Sequence, residues 1–262
     1  MTILKHELKQ NFNTLLIWAL SVGIMNFVFM MIYPSMKSQL ASMSDVYSNM
    51  GNFSAAFGMD KISVTTALGF YGIEAGAMIS LGGAMFGALI GIAILAKEEG
   101  THTAEFLFSI QVTRKAVILW KALATVILIV CFDLILFAFG YGSFIAMKEH
   151  PDMKLLLLYH LAQMCMHIQI ALMCFGISAF LRKSNVGLGL GLAILMYFLQ
   201  MFVNISDKAK FLKYITPYSY SDAAKIFPTG SIDGALLGIG MAIAAIFLGI
   251  GFLKYKKKDL LA

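Results

Sequence analysis

Residues 97–121 read KEEGTHTAEFLFSIQVTRKAVILWK, and this stretch decides how the rest of the chain is read. Ahead of it, residues 75–96 carry no charged side chain, and then Lys97-Glu98-Glu99 arrives at once. A change that abrupt marks the point where an apolar helix leaves the membrane and the chain enters water. Gly100-Thr101 supplies a helix break followed by a capping hydroxyl, and Glu105 lies in the first turn, where the helix dipole favours an anion. Glu98, His102, Glu105 and Ser109 recur at i, i+4, i+7 and i+11, while Phe106, Leu107, Phe108 and Ile110 crowd the other faces. The pattern predicts a short amphipathic helix at the membrane surface. Thr113, just ahead of Arg114-Lys115, is placed to cap the helix that climbs back into the bilayer.

Composition on either side of the loop agrees. The chain is 60% hydrophobic and 13% charged, with a mean hydropathy of +0.81, too apolar for a soluble domain of 262 residues. Alternating ten-residue strands are missing from the sequence, which argues against a membrane β-barrel. The expected fold is an all-α membrane protein, a single transmembrane domain over residues 1–262 with no soluble domain. Its six transmembrane helices fall at about 14–32, 68–96, 116–147, 155–181, 186–205 and 232–253, with the short cytoplasmic helix between spans two and three. Residues 1–13 place Ile3, Leu4, Leu8 and Phe12 among Lys5, Glu7 and Lys9, which predicts an interfacial amphipathic helix ahead of the first span. Pro34 is expected to end that span. Gly83, Gly87 and Gly91 leave bare backbone on one face of span two, a helix-packing surface.

A net charge of +6 would suggest nucleic acid in a soluble protein. Here the bases sit at span ends and no nucleic-acid partner is expected. Arg114-Lys115, Arg182-Lys183 and the Lys254, Lys256, Lys257, Lys258 cluster all fall on the side of the two termini, which predicts both termini in the cytoplasm. Cys131, Cys165 and Cys174 lie in apolar runs without a C-x-x-C pair, so they read as buried free thiols.

Glu98-Glu99-Gly100-Thr101, the acidic Glu105, the Phe106-Leu107-Phe108 turn, Ser109, Val112-Thr113-Arg114 and Lys121 together resemble the first cytoplasmic loop of ABC-2-type transporter permeases. Gln111 stands where that family commonly has Pro, and Trp120 where Gly is common. A second similarity lies in residues 214–220, YITPYSY, where such permeases place an external segment before the last span. The resemblance implies a coupling helix that docks on a separate ABC ATPase subunit. Glu98, Glu99, Gly100, Thr101, Glu105, Phe106, Leu107, Phe108 and Arg114 would then form the coupling surface. It implies a second permease subunit, identical or related, in contact with membrane lipid, in a cell membrane expected to be bacterial. No cofactor is expected on this chain, because ATP and Mg belong to the partner and no G-x-x-x-x-G-K-[ST] is present.

Inside the spans, Asp133 is a carboxylate where ionisable groups are costly, so it reads either as a substrate or proton contact or as an interhelical hydrogen bond. His160 and His167 lie two turns apart on one face of span four, joined by Gln163. Asp133, His160, Gln163 and His167 are candidates for a substrate path. A metal site would need a further ligand, and none is expected. Three functions therefore stand at this point: an ATP-driven exporter of hydrophobic or amphipathic cargo, an intramembrane metal-dependent enzyme using His160, His167 and Asp133, and a non-transporting sensor or immunity protein.

Overall fold

The computed structural model describes residues 2–43, 45–46, 49–100 and 112–258, and among them it contains helices and no strand. Six helices are long and apolar enough to cross a membrane: α1, Thr2–Ser42; α2, Ala67–Ala93; α3, Arg114–Met147; α4, Met153–Ser178; α5, Val186–Ile205; and α6, Gly234–Lys257. The expected all-α membrane fold is the one observed.

Local chemistry accounts for the helix starts. Thr66, Thr113, Asp152, Asn185 and Asp233 each accept a backbone N–H from the first turn of the helix that follows, satisfying donors that a helix start otherwise leaves orphaned. α3 stops at Lys148, whose φ of 58° is left-handed and turns the chain back.

Two boundaries differ from expectation. The N-terminal amphipathic segment and the first span are one continuous helix, not two elements, and Pro34 lies inside it. Proline cannot donate to the carbonyl four residues back, yet Pro34 faces outward, where no packed neighbour depends on the lost bond. α1 buries a single stripe, including Ile3, Glu7, Leu15, Ala19, Asn26, Met30 and Tyr33, against α3 and α2. Ile17, Leu20, Ile24, Met25 and Val28 point away from the bundle, as expected for a face in contact with hydrocarbon. The second difference lies in α2, where Tyr71–Ala75 form one π-helical turn that offsets the register of the helix on either side.

The glycine stripe of α2 sets the tightest crossing. An added Cβ at Gly83 would lie 2.1 Å from the His167 ring, at Gly87 2.9 Å from the His167 carbonyl, and at Gly91 2.2 Å from the Ala171 carbonyl. Only bare backbone lets α2 and α4 come this close. α6 packs on α4 through a similar meeting of Gly251 with Gly176. Beyond α5, a 3-10 helix at Asp207–Tyr214 and short helices at Tyr218–Ser221 and Ala223–Thr229 fold back onto the end of the bundle opposite Lys97–Gly100 and the start of α3. Thr216 donates to the Met196 carbonyl at 2.7 Å and Tyr220 to Gln169 Oε1 at 2.8 Å, so this expected loop is partly interior.

Candidate functional site

The ends of the helices that frame residues 101–111 meet in a buried ionic joint. Lys121, two turns into α3, is wholly buried. Its ammonium donates to the Ile94 carbonyl at 2.5 Å and pairs with Glu98 and, at 3.0 Å, with Glu7. Glu7 is 1% exposed and also takes Lys97 at 2.5 Å, while Lys97 reaches Gln10 Oε1 at the same distance. Burial, with the Lys121 ammonium nearby, pushes the Lys97 ammonium below the usual lysine range, and the Glu7 carboxylate opposes that shift. Three helices that are far apart in sequence are thus tied at one point: α1 through Glu7, the exit of α2 through residues 94–98, and α3 through Lys121.

A second tie lies beside the first. Glu99, 6% exposed, pairs with Lys258, whose ammonium also donates to the Leu181 carbonyl at 2.6 Å. Arg114 donates from Nη1 to the carbonyls of Lys256 and Lys258, at 3.2 and 2.6 Å. Tyr255 packs beneath, 1% exposed. The entry and exit of the loop are therefore fastened to the ends of α4 and α6 as well. Lone buried charges are expensive, and pairing them offsets part of that cost while holding a defined geometry.

This arrangement revises part of the expected coupling surface. Glu98 and Glu99 turn inward, into ion pairs with Lys121 and Lys258, and are anchors of the loop rather than charges presented to a partner. Their reason for turning is the row of cations beneath them. Arg114 is an anchor of the same kind, and Gly100 abuts Lys183 at the exit of α4. Thr101, Glu105, Phe106, Leu107 and Phe108, and the amphipathic helix predicted for them, lie outside the described residues. Glu7, Lys97 and Lys258 were not among the sequence candidates. One signal did exist: Glu7 stands four residues after Ile3 on the apolar stripe of α1, a carboxylate on a face that must be buried.

The interior polar residues form a ladder between helices. His167 Nδ1 lies 2.8 Å from Asp133 Oδ1, both almost wholly buried between α3 and α4. Two turns toward the opposite end, His160 Nε2 meets the Tyr71 hydroxyl at 2.8 Å, on the π turn of α2. Gly140 leaves the space for that hydroxyl, since a Cβ there would lie 2.1 Å from it. Gln163 accepts from Ser80 and donates to the Ser221 carbonyl, each at 2.9 Å. Asp133, His160, Gln163 and His167 are thus built into the packing of one chain, and they line neither of the two described cavities. His160 and His167 each hold a different partner, and among the described residues no three His, Cys, Asp or Glu side chains gather as a metal site.

Two cavities among the described residues bear on function. One, of about 70 Å³, opens at the end opposite the loop, between α2, α5 and residues 218–223. The other, of about 470 Å³, is an apolar groove between Ile92, Cys174 and the glycine-rich start of α5. The sequence matches one family model, described as ABC-2 family transporter protein, over residues 1–260. A search of curated proteins finds no match.

Proposed function

The chain belongs to the ABC-2 family of transporter proteins, and from that membership we propose that it is the permease subunit of an ATP-driven exporter. A separate ABC ATPase binds and hydrolyses ATP with Mg, and docks on residues 101–111 from the cytoplasm, where both termini also lie. Two permease chains, identical or related, enclose a path for a hydrophobic or amphipathic cargo in a bacterial cell membrane. The family and the six-span helical fold support a transporter permease.

The observation that carries the coupling role is the joint itself. A loop whose ends are fastened by Glu98 to Lys121, an ammonium that also holds Glu7, and by Glu99 to Lys258, moves together with those helices. A push on it from closing ATPase subunits reaches α1, α3 and α6 as a rigid displacement. Such a push shifts the path between inward and outward access only to the extent that ATP and cargo bind the two states differently.

Co-purification in mild detergent with the ATPase encoded beside this gene tests the reading. Because Glu98 and Glu99 are internal anchors, reversing them would damage the chain itself, so the informative variant is Phe106→Asp with Phe108→Asp. An ATPase retained by the parent chain and lost with that variant supports the docking loop. If no ATPase accompanies the parent chain, the exporter reading fails and the sensor reading takes its place.

A further inference from the structure

The small cavity opposite the loop has a chemistry of its own. Its wall holds four aromatic rings, Phe57, Tyr159, Tyr197 and Tyr218, and a single carboxylate, Asp222. Tyr197 and Tyr218 meet nearly edge to face, with centroids 5.5 Å apart and planes at 72°, so they form a corner rather than a flat stack. Neutral groups hold the carboxylate in place. Gln200 Nε2 and Asn204 Nδ2 each donate to Asp222 Oδ2 at 3.3 Å, and the Ala224 amide donates to Oδ1 at 2.9 Å. Among the described residues Asp222 has no ion-pair partner. Lys225, three residues on, gives its ammonium to the Ser219 carbonyl at 3.1 Å and acts on Asp222 only as a more distant charge.

A half-buried carboxylate, held by amides and walled by aromatic rings, is matched by a cation with a soft apolar surface. A hard metal ion asks for six or more oxygen ligands. Here the cavity offers rings, and the amide N–H groups beside the carboxylate point at Asp222. An ammonium fits both parts of the wall, since its charge is met by the carboxylate and its carbons by the aromatic side chains. A volume of about 70 Å³ is roughly twice the share of one water in the liquid, enough for the ammonium and its first carbons, with the rest of a larger molecule outside.

We propose that this cavity is a binding site for an ammonium group, with Asp222 as counter-ion and the Tyr197 and Tyr218 rings as its aromatic wall. The binding stands apart from ATP coupling; its meaning as the subsite for a cationic amphiphile rests on the permease reading. An amine-bearing cargo and an ammonium-bearing phospholipid head share this chemistry.

The test uses the purified chain alone in phosphatidylglycerol nanodiscs, with choline as probe and 3,3-dimethylbutan-1-ol as its neutral match in shape, followed by ligand-detected NMR. Choline is expected to bind at least tenfold more tightly than the alcohol. Asp222→Asn is expected to weaken choline at least tenfold. Asparagine keeps the cap that Asp222 provides to Ala223–Thr229, so the helix survives while the charge is lost. Tyr197→Phe, which keeps the ring, is expected within twofold of the parent, and Tyr197→Leu about fivefold weaker. Asp222→Asn binding choline like the parent, or the alcohol binding as tightly as choline, overturns the proposal. Should the Asp222 variant fail to stay monodisperse, the Tyr197 pair decides alone: equal binding by Phe and Leu overturns it. Nanodiscs doped with phosphatidylethanolamine separate the two sources, because a lipid head that reaches the cavity competes choline away and a soluble cargo site is untouched. No ATPase is present, so a failure here leaves the permease reading standing, and a missing ATPase partner leaves this site standing.

Discussion

Replacing Lys121 with methionine removes the one ammonium that three groups share and leaves the rest of the loop-end joint in place. Lys121 is wholly buried and serves the Ile94 carbonyl, Glu7 and Glu98. Methionine nearly matches the stem, so little packing is lost and the effect is one of charge. Removing one partner of a buried ion pair costs about 3–5 kcal/mol, because the other charge stays buried without compensation. Glu7 still holds Lys97 at 2.5 Å, which places the expected cost at the lower end, about 3 kcal/mol, or some two orders of magnitude in the unfolding equilibrium. The sign of the next step discriminates. Adding Glu7→Gln and Glu98→Gln to Lys121→Met removes the stranded carboxylates too, and Lys97, 19% exposed, turns to water. That triple variant is expected to be more stable than Lys121→Met alone, by about 1 kcal/mol or more. Equilibrium unfolding in mixed micelles, followed by the fluorescence of Trp18 and Trp120, measures both. A Lys121→Met cost within about 0.5 kcal/mol of zero, or a triple variant weaker than the single, would refute the view that these charges are an interdependent joint.

Gly91→Ala is expected to cost about 1–3 kcal/mol, because its Cβ would sit 2.2 Å from a backbone carbonyl that cannot move aside; Gly191→Ala, with nothing within 4 Å, should be neutral or stabilising by up to about 1 kcal/mol, and the same unfolding assay compares them. Asp133→Asn and His167→Gln should show a coupling energy of about 0.5–3 kcal/mol in a double-mutant cycle, since the two groups are 2.8 Å apart and buried; additive effects would contradict the pairing. Lys258→Ala frees Glu99 and the Leu181 carbonyl and is expected to speed limited trypsin cleavage after Arg114 and Lys115 severalfold while the spans stay intact.

The six helices were legible because long uncharged runs and the capping residues at their ends are local signals, read within a dozen positions. Thr113 shows this well: its place before Arg114-Lys115 predicts a cap, and its hydroxyl accepts from Ala116 at 3.3 Å. The glycine spacing in α2 likewise announces a bare face, though not that α4 would occupy it. Where expectation and structure part, the missing term is long-range. Pro34 is a strong local stop, yet a stripe running from Ile3 to Leu40 gives α1 reason to continue past it. Glu98 and Glu99 look like a solvated pair in sequence; only the fold brings Lys121 and Lys258 beneath them, and Glu7 meets Lys97 across a separation of 90 residues. The partners of Asp133 and His160 were unreadable for the same reason, since nothing local joins Asp133 to His167 or His160 to Tyr71.

The joint at the loop end also has an order of construction. Glu7 is synthesised well before Lys97 and Lys121, which emerge only after two spans have been made, and Lys258 follows the sixth span. During biogenesis each carboxylate must wait in water for a cation not yet made, and Glu99 waits longest. Its closure with Lys258 therefore reports that the sixth span has been made. A nascent chain stalled before that point leaves Glu99 without its cation and the seam at the loop end open.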